Sequence, residues 1–226
     1  MPPLSKYLPL SHQPEFDESD VSGDWRPLIA DTLDQVGNLL DGLSASQWDE
    51  PSAVSEWSLR DVARHLIWRL DASAATLAGS ALRIRVARLL GRGRRFPHEL
   101  FGSNAFGADA IVSEIRRVAT DRRALRGRKH VAEAAVAVVH AYDIAHPLGA
   151  HLTLAPLVTG AVALRRALTA PTPIKTVIAH RTLVATDAGW RFGRGAEFSA
   201  TAEDLILFLY GRCAAPPPAA TRPSSR

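Results

Sequence analysis

The sequence predicts a mainly α protein, a helical bundle over about residues 21–150 followed by a small α/β unit over 151–213. Three observations carry that expectation. Apolar residues recur three and four apart through most of the first two thirds of the chain, the spacing of one buried helical face. Helix stop and start signals (Gly42 with Ser44, Ser58, and Pro147 with Gly149) divide that part into segments of bundle length. After residue 150 the texture changes to short β-branched and aromatic runs separated by glycine-bearing turns. The 226 residues, 46% of them hydrophobic, suffice for a sizeable core. Residues 1–20, rich in proline and polar groups, read as a flexible arm, and AAPPPAATRPSSR (214–226) reads as a disordered tail.

The first helix is expected over about 24–42, with Trp25, Leu28, Ile29, Leu33, Val36, Leu39 and Leu40 on its apolar face. The second begins sharply. Ser58 followed three residues later by Asp61 has the form of a capping box, and Leu59, Val62, Ala63, Leu66, Ile67 and Leu70 follow as one stripe with His65 on its edge. A further helix is expected over 81–90, ended by GRG and Pro97, and another from Ala108 to Leu125. The next runs over 130–146, and Leu154–Leu168 follows. Within TVIAHRTLVATDAGWRFGRGAEFSA, Asp187-Ala188-Gly189 marks one turn and Gly193 with Gly195 another. Thr201 caps a last apolar helix.

Charge and cysteine content narrow the function classes. The formal net charge is +4. Basic residues concentrate in RIRVARLLGRGRR (83–95), at Arg116–Arg117 and from Arg122 to Lys129. With no interleaved aromatics and no zinc-finger spacing, these runs read as solvated flanks, nucleic-acid contact through 83–95 being the weaker alternative. No nucleic-acid or membrane partner is expected: no apolar run reaches membrane-spanning length. One cysteine, Cys213, allows no intrachain disulfide, so a reducing, cytoplasmic setting is the default.

Candidate chemistry sits in VAEAAVAVVHAYDIAHPLGA (131–150), where polar groups interrupt an apolar helix. Glu133, Val136, His140 and Asp143 share one face. Packed on the second helix, that face brings His140 toward His65. Two histidines and a carboxylate form a set for a divalent metal, although from spacing alone a histidine in an apolar helix is more often a satisfied core residue. Arg191 and Arg194, flanking the turn glycines, could hold a substrate carboxylate or stand in a solvated turn. Plainer roles fall to Trp57 (packing at the helix start), Trp190 (packing within the small domain), His146 (a helix C-terminal cation), Asp187 (a turn former) and Cys213 (a bystander).

Three blocks in order carry a family resemblance: QWDEPSAVSEWSLRDVARHL, VVHAYDIAHPLG, and LVATDAGWRFGRGAEFSATAEDLILFLYGR. They resemble the mycothiol-dependent maleylpyruvate isomerase family, of the DinB-like metal-binding superfamily, and span most of residues 24–212. The resemblance implies a DinB-like four-helix bundle holding a divalent metal, zinc first, ahead of a small α/β domain. It implies mycothiol as thiol cosubstrate and a small electrophile that is isomerised or receives the thiol. The family's ligands are a histidine on the second helix and an E-x-x-x-H pair on a later one. These fall on His65 and His140, but the carboxylate position carries Val136. Glu133 one turn back, Asp143 one turn forward, or water would have to supply the remaining donor. The alternative is a non-enzymatic DinB-like module that binds a small ligand or a partner, its metal site degraded.

Overall fold

A computed structural model of the chain describes residues 23–73, 75–77, 79 and 107–214. The N-terminal arm, the helix expected at 81–90 with its neighbouring arginines, and the tail from 215 lie outside the described residues.

Helix α1 (Arg26–Asp41) buries Ile29, Leu33, Val36 and Leu40 and starts one residue after Trp25, whose amide donates to the Lys129 carbonyl. Helix α2 (Leu59–Asp71) begins with the expected capping box. The Ser58 hydroxyl accepts from the Asp61 amide at 3.2 Å, and the Asp61 carboxylate accepts from the Ser58 amide at 3.1 Å. Two otherwise orphaned N–H groups are thereby satisfied at a defined start point. Helices α3 (Ala108–Arg123) and α4 (Val131–Ala145) complete a four-helix bundle in which α3 and α4 each pack on both α1 and α2. Almost every residue of α4 from Glu133 onward is buried. A helix apolar on all sides is an interior helix, which explains its weak sidedness in the sequence. A short 3-10 turn (His146–Leu148) and the left-handed Gly149 end it.

Between α1 and α2 the segment 47–58 folds against the bundle. Pro51 pairs with Ser58, the Ser52 amide donates to the Trp57 carbonyl, and the Ala53 amide donates to the Asp143 carbonyl at 3.1 Å. Trp48 and Trp57 are buried by this arrangement.

Two short cation-rich segments act inside the structure. Arg122, buried in the α3 C-terminus, donates to the Leu70 carbonyl, and Arg128 donates to the Arg69 and Ala72 carbonyls. These carbonyls belong to the last turn of α2, whose acceptors have no partner within the helix. Arg116, Arg117, Arg123 and Arg126 pair with carboxylates of α1, α2 and α3. The arginines of the second basic run are therefore engaged within the structure.

The C-terminal unit adds helix α5 (Pro156–Thr169), helix α6 (Thr172–Ile178), strands β1 (Arg181–Ala185), β2 (Arg191–Gly193) and β3 (Ala196–Ala200), and helix α7 (Ala202–Leu209). The sheet order is β2-β1-β3, β1 pairing antiparallel with β2 and parallel with β3. Thr176, Val177 and Ile178, the β-branched opening of the expected strand region, are helical here. Two prolines, Pro171 before the helix and Pro173 in its first turn, preset that backbone and override the β preference. Helix α7 carries the expected Thr201 cap and packs on α4 and α5. Trp190 lies across Gly160 of α5 and donates to the Thr159 hydroxyl at 3.1 Å, so it joins the sheet to a helix. Among the described residues, no helix is long and apolar enough to cross a membrane.

The parallel β1–β3 pairing requires a tight chain reversal after β2, and Gly195 supplies it. Its φ is +113°, and a Cβ there would sit 2.0 Å from the His180 carbonyl oxygen. Gly189 also has positive φ, but open space faces its missing Cβ. Gly195→Ala is expected to cost at least about 2 kcal/mol more than Gly189→Ala, because the clash adds to the backbone strain. Urea unfolding of the two variants measures the difference; equal losses would refute the steric account.

Candidate functional site

Helices α2 and α4 bring the two predicted histidines together. The His65 and His140 ring centroids are 5.0 Å apart with planes at 84°. His140 lies on the buried face of α4, and His65 is half-buried on the edge of the α2 stripe. Two indoles flank His65: Trp57 at 5.0 Å edge-on and Trp68 at 5.7 Å. Trp57 thus reaches the histidine ring, beyond the packing role its position suggested.

Asp143 organises this pair. It has no exposed surface, and its Oδ2 is 2.9 Å from His140 Nδ1. Its Oδ1 accepts from Arg212 Nε at 3.0 Å. An ionised carboxylate only accepts, so the hydrogen bond places the imidazole proton on Nδ1 and leaves the Nε2 lone pair available. His65 is held neutral: burial, then the nearby charges of His140, Arg69 and Arg212, push its pKa from 6.5 down to about 2.

Arg212 is the residue that sequence reasoning passed over. Helix α7 ends in a Schellman motif: the Gly211 amide donates to the Phe208 carbonyl, and the Arg212 amide to the Leu207 carbonyl. Gly211 has φ +71°, and this left-handed step turns the chain so that the next side chain returns to the bundle. A glycine directly after an apolar helix was the available signal; the partner of the following arginine was not.

The other predicted site residues stand apart. Glu133 is buried two turns, about 10 Å, before His140 on α4, and its Oε2 accepts from Arg128 at 2.8 Å. Arg191 is exposed and pairs with Glu197; Arg194 is exposed. Neither forms a hydrogen bond or ion pair with His65, His140 or Asp143 among the described residues. His146 is the C-cap residue of α4, its amide donating to the Tyr142 carbonyl, and its ring Nδ1 is 2.8 Å from Glu203 Oε1 in the first turn of α7. Cys213 is part-buried, its thiol pKa pushed up by burial and by the Asp204 and Glu203 carboxylates, which opposes a nucleophilic role.

The donor chemistry bears on the metal that the resemblance implies. His65 and His140 are suitable imidazole donors, but Val136 offers none. Glu133 and Asp143 each neutralise an arginine, and stripping one partner from a buried pair costs about 3–5 kcal/mol. Among the described residues, no three His, Cys, Asp or Glu side chains gather as a metal-holding group. The residues present do not fit the family's three-donor set.

The sequence model of the mycothiol maleylpyruvate isomerase N-terminal domain matches residues 29–168, more than half of the chain. The chain belongs to the mycothiol-dependent maleylpyruvate isomerase family. The matched span holds His65, Glu133, His140 and Asp143, whereas Arg212 lies beyond it. A solved mycothiol-dependent maleylpyruvate isomerase is similar to this family member at 12% identity and a TM-score of 0.49, covering 83% of this chain and 88% of that one. A histidine-to-alanine mutant of such an isomerase is similar at 13% identity and a TM-score of 0.44, with the same coverage. No curated protein matches the chain.

The low pKa of His65 couples the site to stability. The unfolded chain binds a proton at this residue near pH 6.5, and the folded chain does so only near pH 2. Stability therefore falls as the pH drops below about 6.5, by up to about 1.4 kcal/mol per pH unit from this group. His65→Phe is expected to remove that part of the slope. Urea midpoints at pH 7.5 and 5.0 check it, and an unchanged slope in the variant would contradict the assignment.

Proposed function

We propose that this chain is a thiol-dependent enzyme: mycothiol serves as cosubstrate, and a small electrophile is isomerised or receives the thiol. The observation that carries the reading is the His140–Asp143 hydrogen bond, backed by Arg212 and placed beside a neutral His65. A free thiol has a pKa of about 8.5, so only a few per cent is thiolate at neutral pH. An imidazole whose Nδ1 proton is held by a carboxylate presents Nε2 as a proton acceptor.

In this scheme His140 takes the thiol proton and the sulfur electron pair forms a C–S bond at the electrophilic carbon. The adjacent carbon becomes enolate-like. Return of the proton from His140 to that carbon completes conjugation. Rotation about the former double bond, then cleavage of the C–S bond, releases the isomer; the sulfur keeps the bonding pair and regains the proton. Asp143 and Arg212 orient the ring and balance its charge in the protonated state. His65, uncharged, adds no repulsion to an imidazolium at His140.

The divalent metal, zinc in the reading from sequence, finds two of its donors in His65 and His140, and no step is routed through it. Arg191 and Arg194, exposed and away from the histidine pair, gain no support for the anion-holding role, and Arg212, which lies at the pair, is engaged by Asp143. A cytoplasmic, reducing setting belongs to the same proposal, because the thiol must be reduced.

A second reading, a non-enzymatic module with a degraded metal site, draws on Val136. Turnover separates the two. The full chain is incubated with mycothiol and a small α,β-unsaturated acid, and thiol loss, adduct and isomer are followed. Turnover above background is expected, with kcat/KM falling about 10²–10⁴-fold in His140→Ala and markedly in Asp143→Asn. Binding of mycothiol or the acid with no turnover would support the module instead, and turnover unaffected by His140→Ala would remove the proposed base.

A further inference from the structure

Residue 136 lies four before His140 in α4, one turn away on the same face. The chain has a half-buried valine there, packed against the core. Two imidazoles, one of them supported by a carboxylate, lie beside it. The two ring centroids are 5.0 Å apart. Two imidazoles sharing a tetrahedral zinc at about 2.1 Å have centroids about 5 Å apart, so the centroid separation matches that of a shared ion. The Asp143 contact at His140 Nδ1 is the outer support that orients a ligating histidine. The remaining acids of α4 cannot close the gap, because Arg128 holds Glu133, while His140 and Arg212 hold Asp143.

We propose that residue 136 sets the metal status of this site: with valine there, His65 and His140 act as a metal-free imidazole pair, and a carboxylate at 136 converts the same two rings into a three-donor divalent-cation site. This inference stands independently of the thiol reading, since it concerns cation affinity and not turnover. One helical turn separates residue 136 from His140 on the same side of α4, a spacing that a glutamate side chain can bridge, and a bound dication offsets the cost of its charge there.

The test is zinc binding by the full chain, measured in competition with a chromophoric chelator for the wild type, Val136→Glu, Val136→Gln and Val136→Glu/His140→Ala. Val136→Glu is expected to bind one equivalent at least 100-fold more tightly than the wild type. Val136→Gln, similar in size but uncharged, is expected to recover little of that gain, and the double variant to lose it. Tight one-equivalent binding by the wild type that is lost in His140→Ala overturns the proposal. So does a folded Val136→Glu, with wild-type circular dichroism and melting temperature, that gains nothing. Should Val136→Glu not fold, the wild-type comparison with His140→Ala decides: zinc uptake no greater than in His140→Ala supports the proposal, and a tight His140-dependent equivalent refutes it. Failure of the thiol assay with success here would reject the enzyme reading alone.

Discussion

A carboxylate with no exposed surface must be compensated, and much of the site follows from how Asp143 meets that demand. Leaving a buried carboxylate unpaired costs several kcal/mol, more than most single contacts contribute. Two charge-assisted hydrogen bonds, from His140 and Arg212, offset the cost. Each partner constrains its own element. His140 is fixed in ring orientation and tautomer on α4, and Arg212 fixes where the end of α7 docks. The backbone of the same residue accepts from Ala53, so the loop carrying Trp57 is attached at the same point.

Helix α4 contains a second compensated acid. Glu133 faces Arg128, which also joins Arg122 in capping the last turn of α2. The Arg122 guanidinium passes so close to Gly127 that a Cβ there would lie 1.7 Å from Nη1. An otherwise apolar helix thus carries one acid near each end, each matched by an arginine from another element or loop. The excess of basic residues in the sequence is, in this part of the chain, a structural device. Overall charge alone would have pointed to an external anionic partner.

What the sequence revealed and what it withheld divide by the range of the interaction. The Ser58–Asp61 box and the Thr201 cap are complete within four residues, so their patterns identified them. The meeting of His65 and His140 follows from helix phase once α2 and α4 are known to be neighbours, and the stripe periodicities carried that. Arg212 and Asp143 are 69 positions apart. Their contact depends on how α7 docks, which no local pattern encodes. Glu133 had the correct phase to face the histidines, yet Arg128, five residues earlier, holds it in another contact. The helix at Thr172–Ile178 shows the opposite error, β-branched residues read for their preference while nearby prolines had already set the backbone.

The part-buried arginine that pairs with Asp143 follows the end of the last described helix, whereas the histidine and aspartate come from the bundle. During synthesis the bundle helices leave the ribosome first, and domains generally begin to fold in that order. Until α7 docks, the acid at the centre of the site has no cation beside it. The same helix that brings Arg212 to Asp143 also buries Leu205, Ile206, Leu207 and Leu209 in the core, so the charge balance of the centre and the closure of the apolar interior are completed by one docking event.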